Sequence, residues 1–134
     1  MIYLDTNVLV YSFCKNVDDL AQKQKAQDIL KNAISTNKLL LSEISLYEFS
    51  FVCKKLEEDD EVIKNNLIFL LDFVRNRDIC KDVIDYLNLS NSFKHSFDSY
   101  HITFANKFNC KELVTFDTGF KKFIKNSKTK ITIL

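Results

Sequence analysis

The sequence predicts an α/β fold, a single three-layer α/β/α domain over residues 1–134 with a mostly parallel sheet of about five strands. Two observations support it. Short apolar runs alternate along the chain with longer segments of helical periodicity, and no repeat, low-complexity tract or Pro/Gly/Ser linker divides the chain. Strands separated by helices imply right-handed crossovers and a sheet covered on both faces.

Each element is predicted from its own pattern of apolar residues. Strands are expected at residues 2–4, 39–41, 113–116 and 130–133, with a weaker candidate at 77–80. Helices are expected at residues 8–14, 19–35, 45–56, 62–76, 82–89 and 98–108. Polar residues at the helix starts are candidate N-caps: Asp18 or Asp19, Ser42 or Ser45, and Asp98 or Ser96.

Four acids follow predicted strands or lie on the helices that lead away from them: Asp5, Glu48, Asp98 and Asp117. Because the carboxyl ends of parallel strands form a crevice, acids distant in sequence can meet there. Four carboxylates in one pocket repel each other and require a bound cation. The alternative for each aspartate taken alone is local: Asp5 and Asp98 as helix caps, and Asp117 as a turn residue.

The position of Glu48 is not explained by capping. It lies within a predicted helix and shares a stripe with Ile44, Phe51 and Val52, so its carboxylate must be paired, protonated or bound to metal. Asp98 shares its own helix face with His101, which is expected to be a packed or supporting residue. Both acids are therefore expected to point inward.

Composition limits the other classes of function. The longest apolar runs are too short to cross a membrane, and a strand starting at Ile2 leaves no room for a signal peptide, so a cytoplasmic location is expected. The four cysteines, which form no C-x-x-C pair, are expected to be reduced and mostly buried. The cysteines are Cys14, Cys53, Cys80 and Cys110.

Charge is unevenly distributed although the net charge is only +1. Residues 57–61 form an acidic run, whereas no acid follows Asp117 and the tail is rich in lysine. Lys121, Lys122 and Lys125 are therefore candidate contacts for the backbone of a nucleic acid, the alternative being a merely solvated surface.

Four segments in order resemble the PIN domain, a family of metal-dependent ribonucleases that includes the VapC-type toxins of bacterial toxin–antitoxin pairs. They are I-Y-L-D-T-N-V-L at residues 2–9, S-L-Y-E-F-S at 45–50, D-S-Y-H-I-T-F-A at 98–105 and L-V-T-F-D-T-G-F at 113–120. The resemblance covers nearly the whole chain. It departs at Ile102 and Phe104, where many members have small residues.

The resemblance implies that the four acids form the metal site and that Asn7 and Thr115 support them. Asp5, Asp98 and Asp117 are the preferred ligands of Mg²⁺ or Mn²⁺, which favour oxygen donors. Glu48 is expected to be a further ligand or the group that orients or deprotonates the attacking water. The expected substrate is RNA.

Partners are predicted from the apolar helices, which carry more large apolar side chains than one sheet face needs. By the resemblance, such helices hold the tail of a small antitoxin protein, and a homodimer is also expected. The residues concerned are Leu9, Tyr11, Phe13, Phe49, Phe51, Val52, Ile68, Phe69, Leu71 and Phe73.

Three alternatives remain open from the sequence. The chain could keep this fold as a catalytically inert RNA- or protein-binding module, or be an RNA-processing nuclease that is not a toxin. A phosphoacceptor receiver domain has similar size and sheet order, with an acidic pair after its first strand and a lysine after its fifth. Here Asp5 has no acidic neighbour, and no lysine ends a fifth strand at the pocket.

Overall fold

The computed structural model describes residues 1–76, 78, 81, 82, 84 and 97–134. Its sheet is wholly parallel, in the order β2-β1-β3-β4. The strands are β1 Ile2–Leu4, β2 Leu39–Leu40, β3 Glu112–Thr115 and β4 Lys130–Ile133. The α/β class and the parallel sheet are therefore confirmed.

The strand count differs from the expected five within the described residues. Val74 forms a single parallel bridge to Leu41 at the β2 edge, where the sequence pattern predicted the end of a helix. That helix ends at Leu71, and the chain then turns toward the sheet. The weak candidate strand at residues 77–80 and the predicted helix at 82–89 lie mostly outside the described residues.

Five α-helices and one 3₁₀ helix connect the strands within the described ranges. They are α1 Thr6–Phe13, α2 Leu20–Ser35, α3 Glu43–Lys55, α4 Asp60–Leu71, α5 Phe97–Lys107 and the 3₁₀ helix Thr118–Asn126. Asp19 caps α2 by accepting from the Gln22 amide at 3.1 Å, and Ser42 caps α3 by accepting from the Ser45 amide at 3.1 Å. Asp98 lies inside the first turn of α5.

Successive strand residues point to opposite faces of the sheet, and each face has its own core. Leu4, Leu39 and Val114 pack with helices α1 to α4, whereas Tyr3, Leu40 and Leu113 pack with α5 and the 3₁₀ helix. This division is the three-layer arrangement that the sequence predicted. None of the helices in the described part of the chain is long and apolar enough to span a membrane.

Residues that depart from the PIN pattern are accommodated in the second core. Ile102 and Phe104 are buried on α5, and Phe104 stacks near Phe108 with ring centroids 4.8 Å apart. These large side chains therefore fill the space between α5 and the sheet without displacing the acid at the start of the helix.

Candidate active site

The sheet register explains why acids distant in sequence meet. Leu4 pairs with Val114 across the adjacent parallel strands β1 and β3, and the Asp5 amide donates to the Val114 carbonyl at 3.0 Å. Asp5 follows the last residue of β1 directly, and Asp117 follows β3 after one intervening residue. Both carboxylates therefore emerge at the carboxyl edge of the sheet, where ligands bind in parallel α/β folds.

All four predicted acids line one cavity of about 350 Å³ at this edge. Asp5 is buried, Glu48 and Asp98 are partly exposed, and Asp117 is exposed. The remaining lining residues are Thr6, Asn7, Val10, Tyr11 and Val52. The structure thus brings together the acids that sequence reasoning assigned to one site.

Asp5 is held at the floor of the cavity by two hydrogen bonds. The Thr6 amide donates to its Oδ1 at 2.8 Å, and the Thr115 hydroxyl donates to its Oδ2 at 2.7 Å. Burial nevertheless raises the pKa of Asp5, because desolvation of the carboxylate outweighs the nearby His101 charge and these bonds. The ionised side chain is therefore under-compensated by the protein alone.

Thr115 and Asn7 fix the edge of the sheet around the acids. The Thr115 hydroxyl oxygen accepts from Asn7 Nδ2 at 3.1 Å and from the Asp117 amide at 2.9 Å. Asn7 Oδ1 accepts from the Phe116 amide at 3.2 Å. These contacts join the start of α1 to the end of β3.

The position of the Asp117 side chain is fixed by the backbone of the helix that follows it. It caps the 3₁₀ helix, and its Oδ1 accepts from the Gly119 amide at 2.7 Å. A Cβ added at Gly119 would lie 2.9 Å from that same oxygen. Gly119 therefore leaves space for the Asp117 carboxylate beside the cavity. Asp117 is both a turn residue and a lining residue of the cavity.

Glu48 is bonded to a histidine that the sequence assigned only a supporting role. His101 Nε2 lies 2.6 Å from Glu48 Oε1 and 3.8 Å from Asp5 Oδ1. Burial lowers the pKa of His101, but the Glu48 hydrogen bond and the charge of Asp5 outweigh burial and leave that pKa raised. His101 thus lies between two of the acids, and both of them favour its protonated form.

A buried polar network lies behind His101. The Tyr3 hydroxyl lies 2.5 Å from His101 Nδ1, 2.9 Å from Ser42 Oγ and 2.8 Å from Ser45 Oγ. When the imidazole is protonated both ring nitrogens donate, so Tyr3 accepts from His101 and directs its own proton to a serine. The Tyr3–His101–Glu48 contacts therefore fix the orientation of the Glu48 carboxylate.

Sequence reasoning did not assign Tyr3, Ser42 or Ser45 to this site. Their roles depend on contacts 39 to 98 residues apart along the chain, which local patterns do not reveal. A signal existed at Tyr3, because a tyrosine in a short buried strand needs a hydrogen-bond partner for its hydroxyl.

Asp98 experiences the combined charge of the cavity. Its pKa is raised first by burial and then by the charges of Asp5 and Asp117, while His101 and Lys122 oppose the rise. The three aspartates are therefore close enough to repel one another. That repulsion favours any bound positive charge at the cavity mouth.

The chemistry of the donors fits a hard divalent cation. Among the residues that the structure describes, no three histidine, cysteine or acidic side chains are already placed to hold one ion together. Mg²⁺, however, is commonly bound through one or two carboxylates and keeps several waters. Carboxylates around a cavity of this size suit such a partly hydrated ion.

The predicted basic surface lies on the 3₁₀ helix that follows Asp117. Lys121, Lys122 and Lys125 are exposed, while Phe120 and Phe123 anchor the helix in the core. The charge of Lys122 reaches Asp98, so this lysine lies beside the cavity. Lys122 thus connects the basic surface to the candidate site.

The apolar surface is smaller than the sequence predicted. Leu9 and Phe49, which were expected to contribute to it, are fully buried in the core. Exposed apolar side chains on α3, α4 and the start of α5 line open grooves: Tyr47, Phe51, Ile68, Leu71 and Phe97. Leu20 on α2, Phe69 on α4 and Ile124 on the 3₁₀ helix are exposed as well.

Comparison with known proteins agrees with this architecture. A chain in the crystal structure of VapBC2 from Rickettsia felis, bound to a DNA fragment from their promoter, has a similar fold. The TM-score is 0.68 with 22% identity, over 100% of this chain and 99% of that chain. No curated protein sequence matches the chain. The family model of the PIN domain matches residues 2–126, and the chain therefore belongs to the PIN domain family.

Proposed function

We propose that the chain is a divalent-metal-dependent ribonuclease that cleaves RNA phosphodiester bonds at the four-acid cavity. The observation that carries the proposal is the convergence of Asp5, Glu48, Asp98 and Asp117 on one cavity in a PIN-domain chain. A negatively charged cavity repels a polyanionic substrate unless a cation is bound. The site therefore needs a metal for binding as well as for chemistry.

Asp5, Asp98 and Asp117 are the residues that would hold Mg²⁺ or Mn²⁺, directly or through water. Such an ion, when bound, activates water and stabilises the charge that develops on the attacked phosphate. Asp5 presents its carboxylate from a fixed position because Thr6 and Thr115 bond both oxygens. Asp98 and Asp117, which are more exposed, line the same cavity from the start of α5 and the end of β3.

Glu48 has the position expected of a group that orients the attacking water. Oε1 contacts His101, which leaves the other carboxylate oxygen to accept from a water or the substrate in the cavity. The pKa of His101 is raised by its hydrogen bond to Glu48, so this pair favours the protonated imidazole that donates to Glu48. His101 is thus a positioning residue in this scheme.

We further propose that the chain is the toxin of a type II toxin–antitoxin pair that acts in the cytoplasm. Support comes from the fold shared with the VapBC2 structure and from the apolar grooves along α3, one of which includes Glu48 of the cavity. An amphipathic tail of an antitoxin would place its apolar side chains in those grooves. A basic residue of that tail would pair with a carboxylate of the adjacent cavity and block it.

Cleavage of a labelled single-stranded RNA tests the catalytic proposal. The wild-type protein should cut the RNA in Mg²⁺, stop in EDTA and resume when Mg²⁺ is restored, whereas Asp98→Asn should lose at least about 100-fold in rate. Glu61→Gln, which changes an exposed acid far from the cavity, is the matched control and should cut normally.

Two outcomes would contradict the proposal. Cleavage that persists in EDTA and in Asp98→Asn would place the chemistry elsewhere. RNA that is bound tightly but never cut by the wild-type protein, across several sequences and both metals, would favour the inert binding module.

A further inference from the structure

Two cysteines outside the candidate site lie in direct contact. Cys14 caps the C-terminus of α1 and Cys53 lies in the last turns of α3, with their sulfur atoms 2.9 Å apart. Both are free thiols and both are almost fully buried. A disulfide has a sulfur–sulfur bond of about 2.05 Å, so closure requires an approach of less than about 1 Å.

The pair lies under a polar edge of the molecule and not in the centre of the core. The Cys14 carbonyl accepts from Lys23 Nζ at 2.6 Å, and the next amide, that of Lys15, donates to Glu58 Oε1 at 2.5 Å. The Glu58 amide in turn donates to the Cys53 carbonyl at 3.0 Å. Local opening of this charged edge would expose both sulfurs while the sheet stays intact.

The two thiols are not equivalent. The hydrogen bond from the Cys53 thiol lowers the pKa of Cys14, and the same contact raises the pKa of Cys53. Reaction with an oxidant proceeds through the thiolate. The Lys23 ammonium, which donates to the Cys14 carbonyl, also favours a thiolate at Cys14, so we assign Cys14 as the attacking sulfur and Cys53 as the sulfur that completes the disulfide.

We propose that Cys14 and Cys53 form an oxidant-sensitive dithiol that hydrogen peroxide converts into an intramolecular disulfide joining α1 to α3. The Cys14 thiolate attacks one peroxide oxygen, the O–O bond breaks, and the departing hydroxide takes up a proton to become water. Cys53 then loses its proton and attacks the Cys14 sulfur, and the sulfenic oxygen leaves as a second water. Two thiols are oxidised by two electrons, and one peroxide is reduced to two waters.

The bond would join the helices that carry two of the cavity acids. Asp5 caps the start of α1, and Glu48 precedes Cys53 on α3. The disulfide would enclose the segment between residues 14 and 53, which contains α2 and β2. Closing a loop of this length restricts the unfolded chain, so the oxidised protein should unfold at a temperature higher by roughly 10 °C.

Peptide mapping of the full chain after peroxide treatment tests the proposal. Trypsin cleaves after Lys15, Lys38 and Lys54, so the disulfide would link peptide 1–15 to peptide 39–54 with the loss of two hydrogen atoms. Dithiothreitol should separate the two peptides and reverse the rise in unfolding temperature. Cys110→Ser, a buried cysteine in the other core, should behave as the wild type does.

Several results would overturn it. One is the recovery of Cys14 and Cys53 as separate thiols or as sulfinic acids, after a treatment that oxidises a small dithiol completely. A link from either residue to Cys80 or Cys110 would also contradict the pairing. Because the mapping uses the unmodified protein, the result does not depend on whether Cys14→Ser or Cys53→Ser folds, and RNA cleavage plays no part in it.

Discussion

Asp5 illustrates how one residue serves the fold and the cavity together. The sequence offered capping and metal binding as alternatives, but the structure shows an N-cap whose second oxygen lies in a hydrogen bond to Thr115 at the cavity floor. The sequence could identify the acid because an apolar strand ends abruptly there. It could not predict the depth of burial, which depends on β3 and α5 packing around it.

Replacing Asp5 with asparagine should stabilise the metal-free protein. Asparagine caps a helix about as well as aspartate, and it removes a buried charge whose pKa is raised, so the free energy of unfolding at pH 7 should rise by about 1 kcal/mol. Urea denaturation in EDTA measures this change. A loss of stability of similar size would mean that the carboxylate is well compensated within the protein.

The same raised pKa fixes the sign of a pH dependence. A carboxyl whose folded pKa exceeds its unfolded value contributes stability at low pH, and that contribution is lost as the pH rises from about 4 through the folded pKa. The gain from Asp5→Asn should therefore be absent near pH 4 and grow toward pH 7. In the presence of Mg²⁺ the wild-type protein should instead be more stable than Asp5→Asn.

His101 should titrate above its ordinary pKa of 6.5 in the metal-free protein. Its contribution to stability is complete below that value and is lost as the pH rises through the folded pKa. Imidazole signals in NMR spectra measure the titration, and His95→Gln assigns the two histidines. Glu48→Gln should lower the pKa of His101, and a wild-type pKa below 6.5 would contradict the pairing with Glu48.

At the scale of elements, the patterns that were local were predicted correctly. The apolar runs of β1, β3 and β4 and the caps at Asp19 and Ser42 depend on neighbouring residues only. The end of α4 and the bridge at Val74 depend on a distant strand edge, so helical periodicity extended the helix too far. The 3₁₀ helix after Asp117 was also missed, because its i+3 contacts resemble a turn in sequence.

That 3₁₀ helix carries the lysines predicted to contact RNA. Replacing Lys121, Lys122 and Lys125 with alanine should weaken binding to single-stranded RNA and reduce the slope of log affinity against log salt by about 0.7 for each lost phosphate contact. The fold should be unaffected because Phe120 and Phe123 remain in the core.

The matched control for the basic surface is a second lysine triplet on another part of the molecule. Lys25, Lys31 and Lys38 are exposed on and after α2. Their replacement with alanine removes the same charge but should leave the salt slope close to that of the wild type. Equal effects from both triplets would mean that RNA responds to net charge and not to the 3₁₀ helix.

At the scale of the whole molecule, the sequence predicted the layers more accurately than the surface. The alternation of strands with helices along the chain was sufficient to predict a sheet covered on both faces, as the two cores confirm. Which apolar side chains remain exposed depends on how helices pack. Leu9 and Phe49 were therefore wrongly assigned to the exposed apolar surface, and Tyr47, which is 77% exposed, was not assigned to it.

The exposed apolar surface of α4 around Ile68 leads us to expect a homodimer. Light scattering should give twice the chain mass of 15.7 kDa. Ile68→Glu, which places a charge on α4, should return the single-chain mass because a desolvated charge opposes association. Leu20→Glu changes a still more exposed apolar residue on α2 and should leave the dimer intact. A wild-type protein with the single-chain mass would refute the expectation.

The central claim is that the cavity acids hold a divalent metal ion, and anomalous scattering from crystals soaked in Mn²⁺ tests it most directly. We predict a peak in the cavity, bonded directly or through one water to Asp5, Asp98 and Asp117. The Asp98→Asn protein, soaked in the same way, should show a much weaker peak. An empty cavity at millimolar Mn²⁺, with the metal bound only elsewhere on the molecule, would contradict the account.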